Sequence, residues 1–339
     1  MSTPLVSVTL PCYNAEDTLA LTLDSLLSQS LYNLEIVAVD DGSTDTTADI
    51  LRTYAARDER VRPVFISHGG VVTAANTAIE ASRGQFIARM DADDIAMPNR
   101  MQAQAQLLLD QPHIGLVGCG VEFGGDRELC AGYAHYVDWT NTVTTSQAIS
   151  NNRFVEFAVP NPSIMFRRET VLTHGSYRDG DYPEDYDLFL RWLDAGVQMQ
   201  KVEEPLLIWN DPPTRISRNH SRYSMDAFYE LKAKYLAKWL KRNNPQYPVV
   251  MVIGAGRPSR KRSDMLLTNG VDIQAYIDVD PKKIGQIIHG RPVIGRKDIP
   301  PKGEVFILSY VGNRGAREEI AEFLDGAGYE VAKDYMLVA

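Results

Sequence analysis

Three clusters of acidic residues are the part of this chain that could carry chemistry. Residues 40–45 read DDGSTD and directly follow an apolar run, and Asp91-Ala92-Asp93-Asp94 follows another. Glu184-Asp185-Tyr186-Asp187 introduces an amphipathic segment. Adjacent carboxylates repel one another, so each cluster is unfavourable unless a cation or hydrogen-bond donors lie among them.

The cluster at residues 91–94 has the composition of a divalent metal site. Mg²⁺ and Mn²⁺ take oxygen ligands and commonly bridge carboxylates to substrate phosphates. A diphosphate leaving group needs its charge neutralised as it departs. A solvated acidic loop is the alternative, and the residue types alone leave both interpretations open.

The other two clusters also have structural alternatives. Residues 40–45 could form a strand-to-helix turn in which Gly42 gives backbone freedom, although a helix cap requires only one side-chain oxygen. Glu184 and Asp185 could simply favour the dipole of a helix that begins there. Functionally, a carboxylate in that place could be the general base that takes the proton of an attacking hydroxyl.

Apolar runs and helical periodicities alternate along the first 121 residues. The pattern predicts strands at residues 6–10, 34–39, 61–66, 86–90 and 114–121, and helices at 15–29, 44–56, 71–82 and 99–109. Such alternation is typical of an α/β fold with a mainly parallel sheet flanked by helices. Ligands bind at the carboxyl ends of such strands, where the first two acidic clusters lie.

The remaining chain is less regular. Residues 123–152 show little periodicity and are predicted to be a loop-rich insertion that faces the substrate. Strands are predicted at 163–166 and 199–209, and helices at 185–194 and 225–241. Residues 243–248 read NNPQYP, a breaker-rich hinge, and βα alternation restarts at Val249.

Together the motifs resemble those of the family 2 glycosyltransferases, which have the GT-A fold. The resemblance spans about residues 5–220. It rests on an opening strand with Pro11-Cys12-Tyr13-Asn14, on residues 40–45, on Ala74-Ala75-Asn76, on Arg83-Gly84-Gln85-Phe86-Ile87, on residues 91–94 and on Glu184-Asp185. Val71-Val72-Thr73 departs from the commoner Gly-Leu-Ser or Gly-x-Ala of the family.

The resemblance implies a role for each matching position. Asp41 would hydrogen-bond the nucleobase, with Asp40 supporting the turn, and Asp93 would bind the Mn²⁺ or Mg²⁺ that holds the diphosphate. Asp185 would be the base, and Glu184 beside it would shape the acceptor site. The implied nucleotide-binding residues are Pro11, Tyr13, Asn14, Asp40, Asp41, Asn76 and Asp91, the last near the ribose.

The activity implied by the resemblance is that of an inverting, hexosyltransferase-type enzyme. It would move a sugar from a nucleotide-diphosphate donor, UDP being the commonest, to a hydroxyl of a glycan or lipid-linked acceptor. The implied setting is cell-surface or extracellular polysaccharide synthesis.

Residues 215–222 are similar in position to an Arg/His segment of the family, so His220 is a candidate metal ligand; a basic surface loop is the alternative.

The amino-acid composition limits the partners and the cellular compartment that can be expected for this chain. The net charge of -9 excludes general nucleic-acid binding, which needs a basic face. Three cysteines without a CxxC pair favour reduced thiols in the cytoplasm. No apolar stretch approaches about 20 residues, so the protein is predicted to be soluble. The basic amphipathic helix at 225–241 leaves two interpretations, peripheral contact with the inner face of the membrane or packing between domains.

Beyond the hinge, Gly254-Ala255-Gly256 follows a strand, and Asp278 ends the next one, as in a Rossmann-type βαβ unit. Ser259 replaces the third glycine of the usual motif, and the segment resembles the nucleotide-binding-like domain of sugar O-acyltransferases. We therefore predict an accessory domain without redox chemistry. The loop at 312–317 could hold an anion or simply start a helix. The predicted domains are a GT-A catalytic domain (1–223), a helix and hinge (224–247) and a Rossmann-like domain (248–339).

Two other functions remain open from sequence. A nucleotidyltransferase that makes sugar nucleotides shares the α/β layout, but it should carry a glycine-rich, lysine-containing signature after its first strand. Pro11-Cys12-Tyr13-Asn14 does not supply that signature. A Rossmann-type nucleotide-binding protein without transferase activity is the third interpretation, with the C-terminal domain dominant.

Overall fold

A computed structural model of the chain describes residues 3–212, 215, 218, 220–313 and 315–339. Three predicted segments therefore lie partly outside the described residues: the start of the chain, the Arg/His segment and the loop at 312–317. The chain forms two compact units. The first comprises Met1–Ile149, Ala158–Gly180 and Glu184–Asn219, and the second comprises Ser150–Phe157, Asp181–Pro183 and His220–Ala339.

The first unit alternates strands and helices. Its strands are β1 (Val6–Cys12), β2 (Leu34–Asp40), β3 (Val61–Phe65), β4 (Phe86–Arg89), β5 (Ile95–Ala96), β6 (Ile114–Phe123), β7 (Met165–Arg167) and β8 (Gln198–Trp209). Its helices are α1 (Leu19–Leu27), α2 (Thr47–Arg57), α3 (Val71–Ala81), α4 (Arg100–Asp110), α5 (Ala131–Thr142), α6 (Ser146–Asn151, which runs into the second unit), α7 (Arg168–His174) and α8 (Glu184–Asp194).

The eight strands form one sheet in the order β3-β2-β1-β4-β7-β6-β8-β5. The pairs β1–β2, β2–β3, β1–β4 and β6–β8 are parallel. The sheet is mixed because β7 runs antiparallel to both of its neighbours and β5 runs antiparallel to β8. The predicted α/β fold is confirmed. The register pairs Cys12 with Asp40 and Thr9 with Arg89, so the first two acidic clusters emerge at the same edge of the sheet.

Helix α1 is shorter than its apolar spacing predicts. The residues before it lie in the turn after β1 and are bonded to the loop before α2: Ala15 N–H donates to Thr47 Oγ1 at 2.8 Å, and Glu16 N–H donates to Asp45 Oδ2 at 3.1 Å. The Asp45 carboxylate also accepts from Thr47 N–H at 2.9 Å. Side-chain acceptors thus hold the two loops together.

The prediction of a loop-rich insertion at residues 123–152 is wrong, because α5 and α6 lie there. Helix α5 buries Ala134, Val137 and Thr140, three small side chains spaced three residues apart. Small and aromatic side chains form this helix face instead of leucines, so the hydrophobic periodicity is weak although the helix is regular.

The second unit contains a smaller sheet that is parallel except for β11, which runs antiparallel to β12. Its helices are α9 (Met225–Asn243), α10 (Arg257–Ser263) and α11 (Ala316–Gly326). Its strands are β9 (Val249–Ile253), β10 (Asp272–Ile277), β11 (Ile287–Ile288), β12 (Arg291–Ile294), β13 (Ile307–Ser309) and β14 (Tyr335–Leu337), in the order β11-β12-β10-β9-β13-β14. From β12 to β14 this is the strand order of a doubly wound fold, with β9 at the centre.

Helix α9 packs into the second unit. Its Trp239 ring contacts Phe154 and Phe306 in edge-to-face geometry, at centroid distances of 6.3 and 5.8 Å. Lys232 is buried, and its Nζ donates to the Val155 and Val338 carbonyls at 3.1 and 2.9 Å. Burial lowers the pKa of Lys232 to about 8. Throughout the described part of the chain, no helix has the length and apolar character needed to cross a membrane.

A buried arginine joins β4 to the rest of the first unit. The Arg100 guanidinium donates to the Arg89 carbonyl at 2.7 Å and to the Pro162 carbonyl at 2.5 Å. Its Nε donates to Gln104 Oε1 at 3.1 Å, and the Gln104 amide donates to the Ser163 carbonyl at 2.7 Å. Arg100 therefore satisfies the backbone at the carboxyl end of β4, immediately before residues 91–94.

Arg100→Met should destabilise the first unit strongly. The substitution leaves two buried carbonyls without donors, and we expect a loss of roughly 2 to 4 kcal/mol in the free energy of unfolding. Urea unfolding of the variant and the parent measures this loss. Arg127→Met is the control: it removes an exposed arginine paired with Asp138 and should change stability by less than about 1 kcal/mol. Equal effects of the two substitutions would contradict the bridging role of Arg100.

Candidate active site

Asp40 and Asp41, at the end of β2, are both buried, and each carboxylate is held by backbone amides. Asp40 Oδ1 accepts from Ser43 N–H at 3.1 Å within its own loop. Asp41 reaches the loop after β3: Oδ1 accepts from Gly69 N–H at 2.8 Å and Oδ2 from Gly70 N–H at 2.9 Å. The doubled aspartate therefore has a physical account, because one carboxylate closes its own turn and the other binds a second loop.

Gly42 is required where these two loops meet. Its φ is 69°, and a β-carbon at this position would lie 2.7 Å from the backbone nitrogen of His68. An alanine would be strained by its φ and would also collide with backbone that cannot move aside cheaply. The glycine of the DDGS motif thus permits the close approach of the loop at residues 67–70.

Tyr13 and Asn14 lie beside these loops, just after β1. Asn14 has a φ of 47°, its N–H donates to Ser43 Oγ at 3.0 Å, and its Oδ1 accepts from Thr44 N–H at 2.9 Å. Tyr13 is 47% exposed, and its ring stacks on the His68 ring with centroids 4.3 Å apart. Asn14 thus fixes the turn that presents the exposed Tyr13 ring.

The carboxylates of Asp91, Asp93 and Asp94 converge just after β4, with one potential ligand atom from each lying within 4.8 Å of the others. Burial, reinforced by the charge of Asp91, raises the pKa of Asp93 to about 6. Asp94 is completely buried, and burial and the charges of Asp91 and Asp93 raise its pKa well above the usual value. Oδ2 of Asp94 has no hydrogen-bond partner in the described structure. Three crowded carboxylates with one orphaned oxygen fit a divalent cation, which prefers oxygen ligands.

The protein supplies several partners to this cluster. Arg89 lies 2.5 Å from Asp91 Oδ1 through its guanidinium. Asn210, just beyond β8, donates its N–H to Asp94 Oδ1 at 2.9 Å and its side-chain amide to the Asp93 carbonyl at 2.6 Å. The Thr22 hydroxyl on α1 donates to the Asp94 carbonyl at 2.9 Å. Elements distant in sequence thus hold the backbone of residues 93–94 in place.

Arg215 also belongs to these surroundings. Its guanidinium lies over the rings of Trp209 and Tyr133, 4.2 and 4.9 Å from their centroids, and 3.6 Å from Asp211 Oδ1. Its positive charge opposes the rise in the pKa of Asp93. Among the described residues of the predicted Arg/His segment, Arg215 is therefore the one whose charge acts on Asp93.

Glu184 and Asp185 begin α8. Burial, followed by the neighbouring charge of Glu184, raises the pKa of Asp185 to about 8, while a hydrogen bond from Tyr186 N–H to its Oδ1 at 2.7 Å acts in the opposite direction. The charge of Asp91 contributes to the same rise, so the first turn of α8 lies within electrostatic reach of the second cluster. The helix is anchored by Arg191, whose guanidinium donates to the Ser176 carbonyl at 2.6 Å.

The other predicted site residues are placed as follows. Pro11 lies in β1 opposite Val39 of β2, two residues from Tyr13. Asn76 on α3 donates to the Tyr177 carbonyl at 3.0 Å, and its Oδ1 is buried without a hydrogen-bond partner in the described structure. His220 belongs to the second unit, where its Nδ1 accepts from Arg222 N–H at 3.3 Å. Metal binding by His220 stays a prediction.

Sequence reasoning did not single out several residues of this region. Asp94 was named with its cluster but given no role of its own, yet it is the most buried of the three aspartates. Arg89 and Arg100 resemble surface cations in a linear pattern, and His68 and Asn210 lie in loops without a motif. An arginine inside an otherwise apolar strand, as in Phe86-Ile87-Ala88-Arg89, is a signal that could have revealed Arg89, because a buried guanidinium requires a partner.

The fold and these motifs define a glycosyltransferase of the GT-A type. The profile of glycosyl transferase family 2 matches residues 7–173. The glycosyltransferase EpsJ of Bacillus subtilis is 30% identical over 248 residues, which cover 69% of this chain and 69% of EpsJ. The chain therefore belongs to glycosyl transferase family 2. Of the three functions left open by sequence, transfer of a sugar is the one that applies.

Two further proteins are informative. The O-antigen biosynthesis glycosyltransferase WbnJ of Escherichia coli is 26% identical over 70% of this chain and 90% of its own length. The mannosyltransferase PcManGT of Pyrobaculum calidifontis, solved in complex with GDP-Man and Mn²⁺, is similar in structure with a TM-score of 0.51. The match covers 71% of this chain and 65% of PcManGT at 20% identity, so it supports the fold alone.

Gly42→Ala should loosen the contact between the loops at residues 40–43 and 67–70. Strain at positive φ together with the collision with His68 should lower the free energy of unfolding by roughly 1 to 3 kcal/mol. Thermal and urea unfolding of the variant measure the change. Gly132→Ala is the matched control, because a β-carbon there meets nothing within 4 Å and lies on α5, where alanine should stabilise by about 0.5 to 1 kcal/mol. A stable Gly42→Ala protein would contradict the tight loop contact.

Proposed function

We propose that the first unit transfers a sugar from a nucleoside-diphosphate donor, with UDP as the nucleotide, to an acceptor hydroxyl. The convergence of Asp91, Asp93 and Asp94 near the first turn of α8 carries this proposal. Tyr13, Asp41 and Asp40, on the adjoining loops, are proposed to form the nucleobase pocket with Pro11, Asn14 and Asn76. Uracil presents an aromatic face for Tyr13 and a ring N–H for the Asp41 carboxylate.

We propose that Asp93 and Asp94, with Asp91 beside them, hold Mn²⁺ or Mg²⁺. When bound, the cation neutralises the diphosphate and assists its departure. The metal-ligating carboxylates are positioned before the cation binds, because Asn210 and Thr22 fix the backbone of residues 93–94 and Arg89 balances the charge of Asp91. In the same proposal Arg215 would contact the diphosphate. Stacking on Trp209 fixes the orientation of its guanidinium, so that the N–H groups could donate to phosphate oxygens.

Asp185 is proposed to be the general base. It would accept the proton of the acceptor hydroxyl as that oxygen attacks the anomeric carbon, giving a single displacement with inversion. A base works best when its pKa lies near the working pH, and burial with the charge of Glu184 moves the pKa of Asp185 to about 8. The adjacent, buried Glu184 would shape the acceptor site.

The second unit is proposed to be an accessory domain without redox chemistry, and residues 1–223 to be the catalytic domain. Asp278, which would bind a ribose in a dinucleotide-binding domain, is already occupied. Its Oδ2 accepts from Ala255 N–H and from Lys283 Nζ, each at 3.0 Å. The name of WbnJ, an O-antigen biosynthesis glycosyltransferase, supports a role for this chain in cell-surface polysaccharide synthesis. We propose a glycan or lipid-linked acceptor, used at the cytoplasmic face of the membrane.

Asp93→Ala should abolish the metal dependence of nucleotide binding without unfolding the protein. Because burial and Asp91 raise the pKa of Asp93 to about 6, its charge is unfavourable in the metal-free protein, and removing it relieves repulsion. Calorimetric titration of UDP with and without Mn²⁺ measures the effect. Asp49→Ala removes an exposed carboxylate on α2 and serves as the control. An unchanged Mn²⁺ effect in Asp93→Ala would contradict the metal assignment.

Asp185→Asn should reduce turnover roughly 10²- to 10⁴-fold, since asparagine cannot accept a proton at neutral pH. Affinity for UDP should stay within about threefold of the parent, because the nucleotide contacts are made elsewhere. Hydrolysis of a UDP-sugar with Mn²⁺, where water replaces the acceptor, provides the rate. In the parent, kcat/KM should rise with pH as Asp185 loses its proton, with a midpoint near 8.

Asp110→Asn, at the exposed end of α4, is the matched control for this substitution and should leave both quantities unchanged. Near-normal hydrolysis by Asp185→Asn would refute the assignment of the base. Loss of hydrolysis together with loss of UDP affinity would instead show that the substitution had disturbed the donor site.

A further inference from the structure

His68 makes two contacts of the kind proposed for the nucleobase. Its imidazole stacks on Tyr13, with ring centroids 4.3 Å apart and an interplanar angle of 27°. Its Nδ1 lies 2.9 Å from Asp41 Oδ2 and 3.0 Å from the Asp41 carbonyl oxygen. Both neighbours of Nδ1 are acceptors, so this nitrogen carries the proton and donates.

The space between the two rings is too small for a ligand. A base inserted between Tyr13 and His68 would need centroids about twice as far apart, since each stacked pair has its own van der Waals separation. The face of Tyr13 that His68 covers is therefore closed to a nucleobase while the imidazole stays there.

The acceptor capacity of Asp41 is also largely used. Gly69 and Gly70 each donate an amide to its carboxylate, and His68 Nδ1 lies against Oδ2 as a third donor. A carboxylate offers about four lone-pair positions. The two glycine amides are backbone and are held by the loop, whereas the imidazole is a side chain that is 55% exposed, so a rotation about its side-chain bonds would remove it from Asp41 without moving the backbone.

We propose that His68 determines nucleotide affinity by holding the place of the nucleobase, so that the donor must displace its ring from Tyr13 and Asp41. The proposal rests on the proposed nucleotide site and deepens it. A base that offers a ring N–H, such as uracil, can replace the Nδ1–H donor of His68. A base that presents an acceptor there, such as cytosine, cannot do so and should bind weakly.

The tests are calorimetric titrations of UDP and CDP, with Mn²⁺, into the full-length protein. His68→Ala vacates the face of Tyr13, and UDP should bind about tenfold more tightly, because the fraction of molecules with an open site rises. His68→Asn can still donate to Asp41 but cannot stack, and should give an intermediate gain. His113→Ala, at an exposed histidine before β6, should change nothing.

An NMR measurement tests whether UDP displaces the His68 ring from Tyr13. The ring-proton resonances of His68 should be shifted upfield by the Tyr13 ring in the free parent and should lose this shift when UDP is added. Tyr13→Ala should abolish the shift without UDP. A His68 resonance that keeps its shift in the UDP complex would overturn the proposal.

The outcomes separate this proposal from the proposed function. If the parent binds UDP and His68→Ala binds it equally or less tightly, His68 is not a competitor of the base and only this proposal fails. If neither protein binds a nucleoside diphosphate, the proposed function fails and the proposal fails with it. Tighter binding of CDP than of UDP by the parent would contradict the proposal that the ring N–H of uracil replaces the Nδ1–H of His68 as a donor to Asp41.

Discussion

The buried guanidinium of Arg89 is the charge on which the acidic centre depends. Burial alone would lower its pKa, but Asp91, Tyr177 and Glu184 more than offset this and raise it. One cation, at the end of β4, therefore compensates the second acidic cluster and faces the first turn of α8. The Arg100 guanidinium in turn donates a hydrogen bond to the Arg89 carbonyl, so Arg100 fixes the backbone that carries the Arg89 side chain. Without this pair, the carboxylates of residues 91–94 and of the first turn of α8 would lose their buried counter-charge, and Arg215 would be left as the other cation near Asp93.

The first two acidic clusters share an edge because of strand register, whereas the loops above them are joined by motif residues. Asp41, Gly42 and Asn14 each connect one loop to another, through amides, through close approach and through an αL turn. Each motif residue thus has a structural task that is separate from contact with a ligand. The structural and functional explanations weighed for residues 40–45 are compatible, since the same carboxylate that binds the Gly69 and Gly70 amides also contacts His68, whose ring stacks on Tyr13.

The strands of the first unit could be predicted from the sequence, whereas several side-chain contacts of the site could not. The strands could be predicted because β1, β2 and β4 are short apolar runs that alternate with helices, and their carboxyl ends located the acidic clusters. Helix α5 could not, because its buried face is built from small side chains such as Ala134 and Thr140. The stacking of His68 on Tyr13 joins residues from different loops, and no local pattern records such a pairing. Burial of Asp94 was likewise hidden, since it depends on Asn210 and on the sheet around it.

The bond from Asn210 to Asp94 also bears on how the protein is made. It joins residues 116 positions apart, and the bond from Asn76 to the Tyr177 carbonyl spans 101. A ribosome that has released β4 has not yet made the strand that completes the centre, so the aspartates emerge long before their partner. Until β8 arrives, these carboxylates remain in water, where their mutual repulsion is screened. The acidic centre is thus a late product of synthesis, although its ligands lie in the first third of the chain.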